Sequence, residues 1–202
     1  MIRIKEIVRI SKTKNKVILE NDYILPLYQN EVRRYKLTEG AYIEESDIEK
    51  IISDVLVPRA KNRALYLITS SPKTEKQLTE KLKEQLYCKD VIDEVVAFLN
   101  KYDYLNDYIY TENYFSQNIS KKGINRIKTE LAIKGIKPAI ITNVIEENDF
   151  DCSDTLVNII EQRKNRYDFR DKKDLDRFIA FLCRRGFTYS QVKTVLADCL
   201  KL

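Results

Sequence analysis

The chain has no histidine and only four glycines, four prolines and four cysteines in 202 residues. Without histidine there is no imidazole to activate a nucleophile, no imidazole acid or base, and no His-containing zinc site. Cys88, Cys152, Cys183 and Cys199 form no CxxC pair, so a four-cysteine zinc site lacks its close spacings; reduced, mostly buried thiols are expected. Scarce glycine and proline argue against a loop-rich all-β fold, which needs many special turns. Glycines at 40, 123, 135 and 186 cannot build GxGxxG or a Walker loop. No apolar run approaches the roughly 18–20 residues of a membrane span. The first residues, MIRIKEIVRISKTK, carry charge throughout and lack the apolar core of a signal peptide. These exclusions predict a soluble cytoplasmic protein that is not an enzyme and needs no metal or cofactor. The carboxylates Glu44-Glu45, Glu146-Glu147 and Asp149 read as solvated surface, and Ser70-Ser71 as a helix end before Pro72.

What is present is charge and helical pattern. Hydrophobic residues make up 44% and charged residues 33%, with a net charge of +5. That balance permits contact with a polyanion or an acidic protein groove without demanding either. The segments IRIKEIVRI and KVILE are β-branched and partly alternating. With turns expected at Lys14-Asn15 and Asn21-Asp22, they predict a small hairpin or three-stranded meander ending near Pro26. LYQNEVRRYKL then reads as a helix stopped by Thr38-Glu39-Gly40, and SDIEKIISDVL as another with Ser46 as N-cap. Pro58 either kinks that helix or starts the next.

Beyond Pro58 the chain repeats. Stretches starting at Thr74, Gly123 and Asp174 superimpose without a gap, matching Leu78, Ile127 and Phe178, then Leu82, Leu131 and Leu182. Tyr87, Ile136 and Phe187 follow, then Ile92, Ile141 and Val192, and the pairs Val95-Val96, Val144-Ile145 and Val195-Leu196 close the pattern. Thr74, Gly123 and Asp174 serve as N-caps, and Leu86, Gly135 and Gly186 share one helix-stop position. Pro138 and the Thr188/Gln191 capping box open the next helices. A further amphipathic helix precedes each pair, so the unit is a three-helix module present three times. The expected fold is mainly α: an elongated array of three tandem three-helix modules with a small N-terminal β element. The boundaries are 1–57 for the N-terminal part, then 58–105, 106–152 and 153–202 for the modules. Such short helices bury their apolar faces only by stacking.

The candidate functional residues are basic: Lys121, Lys122, Arg126, Lys134 and Lys137 around the second module, and Arg163, Arg184 and Arg185 in the third. On a helix, Lys122, Arg126 and Lys134 would share a polar face opposite Ile127, Leu131 and Ile136, opposed within that stretch only by Glu130. Such a stripe suits phosphates or an acidic groove. Tyr102, Tyr104, Tyr108, Tyr110 and Tyr114 cluster between the first two modules, where packing at a joint outweighs base stacking. GINRIKTELAIKGIKPAII also fits a helix-turn-helix DNA reader, although its second helix offers only Thr142 and Asn143 to bases.

Particular strings resemble the RecX family, bacterial regulators of the RecA recombinase. They are Ala60, Ala64 and Leu65 as AxxxAL, PKTEKQLTEKL, Tyr104-Leu105-Asn106-Asp107, and R-I-x-x-E-L-x-x-K-G-I from Arg126 to Ile136. Asp103 stands where that family usually has glycine, Asn106 replaces an aspartate, and Ser70-Ser71 occupies positions where arginines are common. The resemblance implies tandem three-helix modules and a monomer that lies along the groove of the RecA filament on DNA. It implies limits on filament growth, strand exchange, ATP hydrolysis and coprotease activity. The eight basic residues above would then face RecA, or single- or double-stranded DNA.

Overall fold

The computed structural model describes residues 1–200, which divide into two compact units, one up to Asn106 and one from Asp107 onward. In the first unit β1 (Ile2–Arg9), β2 (Lys14–Leu19) and β3 (Ile24–Tyr28) form the meander, and β4 (Tyr42–Ile43) adds an unforeseen fourth strand. The sheet order is β3-β2-β1-β4 with antiparallel neighbours. The first turn is not at Lys14-Asn15, which lie inside β2. Ser11 makes it instead, its Oγ accepting the backbone N–H of Lys14 at 3.1 Å, as short hydroxyl side chains do in turns. The second turn lies at Asn21-Asp22 as expected, with Asp22 left-handed at φ 58°. β3 runs through Pro26 to Tyr28, which is tolerated because β3 is an edge strand and needs no further ladder donor.

Helix α1 (Gln29–Arg34) ends earlier than Thr38-Glu39-Gly40, because Lys36 turns left-handed at φ 52° and the Leu37 N–H reaches back to the Val32 carbonyl. Helix α2 (Glu45–Ile51) begins after Glu44, which makes no side-chain capping bond, and Ser46 is already in its first turn. A π-turn (Ile52–Leu56) joins α2 directly to α3 (Val57–Ser70). Pro58 lies in the first turn of α3, as expected of a helix start, and the widened turn before it accommodates its missing N–H and the ring's crowding of the preceding turn. The boundary expected at 57/58 falls within this run. Arg59 ties α3 to the sheet, with one guanidinium N–H on the Pro26 carbonyl at 3.0 Å, an ion pair to Glu31 and its plane over Tyr28. Helices α4 (Glu75–Lys83) and α5 (Lys89–Lys101) complete a single core that runs from Ile4 to Leu105.

The second unit comprises α6 (Asp107–Asn118), α7 (Ile124–Ile133), α8 (Pro138–Asn148), α9 (Ser153–Arg163), α10 (Lys172–Arg184) and α11 (Tyr189–Leu200), with a 3-10 turn at Lys164–Arg166. Phe115, Ile127, Leu131 and Val144 centre one core; Ile160, Phe178, Leu182 and Val192 centre another. Every matched apolar position of the repeat is buried or half-buried. The Thr74/Gln77 and Thr188/Gln191 boxes form reciprocally. Asp174 is not a cap: α10 starts a turn earlier on Asp171, whose carboxylate accepts the Lys173 N–H at 3.1 Å. Among the described residues no helix is long and apolar enough to cross a membrane.

Leu86, Gly135 and Gly186 are all left-handed, at φ 69°, 94° and 99°. So is Asp103, at φ 55°, a conformation that glycine would adopt without strain. Asp103 is exposed, and its carboxylate accepts the Asn106 amide at 3.1 Å. We expect Asp103→Gly to stabilise the first unit by about 0.5–1 kcal/mol, the relief of about 1–2 kcal/mol of backbone strain less the entropy that glycine adds to the unfolded chain. A lower urea midpoint would show instead that the Asn106 bond outweighs it.

Candidate functional site

The basic residues of the second and third modules meet because two glycines meet. A Cβ on Gly123 would lie 2.4 Å from the Gly186 carbonyl carbon, and one on Gly186 would lie 2.3 Å from the Arg126 nitrogen. Only glycine at both positions permits this approach. The Gly123 N–H donates to the Arg185 carbonyl at 3.0 Å and the Asn125 N–H to the Gly186 carbonyl at 3.2 Å. The start of α7, which has no capping side chain, is therefore capped by backbone from the α10–α11 turn.

This joint brings Lys122 and Arg126 alongside Arg184 and Arg185. Together with Glu130 and Phe181 they line a cleft of about 370 Å³. Glu130 anchors its α7 side. It accepts from Lys122 Nζ at 2.7 Å, from Tyr114 Oη at 2.8 Å and from Arg126 Nε at 2.9 Å. Burial pushes the Glu130 carboxyl up, but these three donors outweigh it and hold the group below the ordinary carboxylate range. Burial, then the bond to Glu130, pushes the Tyr114 hydroxyl up to about 12. Glu130 is thus a fixed anion and Tyr114 a fixed donor.

Phe181 organises the opposite side. The guanidiniums of Arg163 and Arg185 lie over its ring at 4.8 and 5.3 Å, and Phe178 stacks beside it at 6.1 Å. Among the described residues neither Arg184 nor Arg185 has an ion-pair partner.

Of the eight basic residues read from the sequence, Lys122, Arg126, Arg184 and Arg185 line the cleft and Arg163 joins through Phe181. Lys134 sits over the Tyr114 ring at 5.3 Å, outside the lining. Lys121 is exposed in the α6–α7 loop, and Lys137 is the exposed residue that precedes α8. Lys122 precedes α7 and Lys134 follows its last residue, so the expected stripe is not carried by one helix; Lys122 and Lys134 nonetheless both lie over the Tyr114 ring, and Lys122 and Arg126 share Glu130. Glu130, Tyr114 and Phe181 were not among the candidates. The Arg126–Glu130 spacing of four residues was a readable signal for one of them; nothing local marks Phe181. Tyr108, Tyr110 and Tyr114 pack on the second-module core, whereas Tyr102 and Tyr104 are 55% and 56% exposed.

Comparison with known proteins places these features among relatives. Residues 60–99 match the family model described as RecX, first three-helix domain. The Regulatory protein RecX of Clostridioides difficile is 29% identical over 188 residues, covering 91% of this chain and 88% of the relative. That of Clostridium acetobutylicum is 27% identical over 193 residues, covering 93% and 90%. A crystal structure of a regulatory protein RecX superimposes with a TM-score of 0.66 at 20% identity, over 96% of this chain and 98% of that one. RecX from Lactobacillus salivarius gives a TM-score of 0.64 at 24% identity, over 72% and 97%. At these identities the structures speak for the fold.

Proposed function

Because the chain belongs to the RecX family, we propose that it regulates the RecA recombinase without chemistry of its own, as a cytoplasmic monomer. It binds in the groove of the RecA–DNA filament and inhibits: filament growth, strand exchange, ATP hydrolysis and coprotease activity all fall. The N-terminal part, 1–57, and the modules 58–105, 106–152 and 153–202 are the segments of this reading. DNA is touched directly or through the filament. The observation that carries the proposal is the cluster of four cations in one cleft of the second unit, held by a backbone joint. Its contact residues are Lys122, Arg126, Arg184 and Arg185, with Arg163, Lys134, Lys121 and Lys137 at their margin.

A helix-turn-helix DNA reader acting without RecA is disfavoured. Its recognition helix, α8, spends Ile141 and Val144 on the core and in its first half exposes only Thr142 and Asn143 as base-reading side chains. The test is ATP hydrolysis by RecA on single-stranded DNA with this protein added at substoichiometric and equimolar ratios. Hydrolysis and filament length are expected to fall together. If both stay at the RecA-only level, the proposal fails.

A further inference from the structure

The cleft spends its positive charge unequally. Lys122 and the Nε of Arg126 are committed to Glu130. The terminal Nη groups of Arg126 remain, on a side chain that is 53% exposed, together with all of Arg184 and the guanidinium of Arg185. Guanidinium forks match an oxyanion with several acceptor oxygens better than a single point charge does. The one aromatic ring in the lining, Phe181, has Arg163 and Arg185 against it and offers no apolar socket. A protein partner anchors by inserting such a residue, whereas a nucleic-acid strand needs only the cations.

Resting on the reading of this face as the contact surface, we infer that the cleft seats one phosphodiester group of a nucleic-acid strand between Arg126, Arg184 and Arg185. Glu130 is then a built-in carboxylate that competes for the same cations. It holds Lys122 and one edge of Arg126 away from the strand and so keeps the affinity of the seat low. A weak seat suits a contact that must be made and released along a polymer.

The experiment titrates a labelled, mixed-sequence single-stranded oligonucleotide with the full chain alone, by fluorescence anisotropy at low and raised salt. Arg184→Gln and Arg185→Gln are each expected to weaken binding about tenfold, the loss of one charge-assisted contact. Each lowers the salt slope by about 0.7. Lys89→Gln, on the exposed start of α5, changes neither. An abasic deoxyribose-phosphate strand of equal length binds as well as the natural one, and Glu130→Gln binds several-fold tighter. Unchanged affinity in both arginine variants overturns the inference, as does a polyglutamate peptide that displaces the oligonucleotide as well as an abasic strand does. Should Glu130→Gln melt early, the arginine pair decides alone, because neither arginine bonds Glu130. RecA is absent from this titration, so its failure removes the phosphate seat only, while the regulatory reading stands or falls on ATP hydrolysis.

Discussion

Gly186→Ala is expected to destabilise the second unit by about 2–5 kcal/mol, against about 1 kcal/mol for Gly40→Ala in the first. Both glycines are left-handed, at φ 99° and 79°, so both substitutions carry the strain of an L-residue in that region, about 1–2 kcal/mol. The difference is space. A Cβ on Gly40 meets only the end of the Arg3 side chain, at 3.9 Å. One on Gly186 collides with the backbone nitrogen and Cβ of Arg126 at 2.3 and 2.5 Å, adding an overpacking cost of about 1–3 kcal/mol. Gly123→Ala isolates the collision, since its φ of −72° suits any residue. Once either alanine has opened the joint the other has less left to break, so the double variant should cost less than the two singles combined. Urea denaturation followed by circular dichroism gives the energies, and hydrogen exchange assigns them to a unit. Gly186→Ala no worse than Gly40→Ala would mean that the joint bears no load.

That joint marks the limit of what the sequence discloses. The apolar repeat was legible because burial on a helix imposes a period, and Leu78, Ile127 and Phe178 are all fully buried where the alignment puts them. The Thr74 and Thr188 boxes were legible because capping chemistry is local. Gly123 and Gly186 had correct local roles, a helix start and a helix stop, and those roles concealed a third: each must lack a side chain for the other's sake. A contact between two backbones leaves no period and no residue preference beyond the glycine itself. Glu130 was concealed differently. In one dimension it only dilutes a basic run, while in three it fixes Lys122, Arg126 and Tyr114 in place. The four-stranded sheet was under-read because β4 is two residues long, too short to alternate.

Reversing Arg184 and Arg185 together should cost the protein most of its effect on RecA. With both as glutamate, Lys122 and Arg126 face three carboxylates where they now face Glu130 alone. The new carboxylates neutralise those cations and meet the anionic groups that the cleft is proposed to bind; like charges brought together across an interface cost several kcal/mol, so half-inhibition of ATP hydrolysis should need at least about tenfold more protein. Reversing Arg126 would be a poorer probe. It sits four residues before Glu130, and a carboxylate there would repel Glu130 along α7 and damage the site by another route. Arg184 and Arg185 themselves make no bond to Glu130, and the bond from Gly123 to position 185 uses the backbone carbonyl, which the substitution keeps. Lys121→Glu with Lys137→Glu makes the same change in net charge from exposed positions outside the cleft. Screening over a Debye length of about 8 Å leaves such rim charges little influence. The two double variants should therefore separate clearly in the hydrolysis assay. If they inhibit equally poorly, RecA senses overall charge and the cleft is incidental; if Arg184→Glu with Arg185→Glu inhibits as well as the unaltered chain, the contact lies on another face.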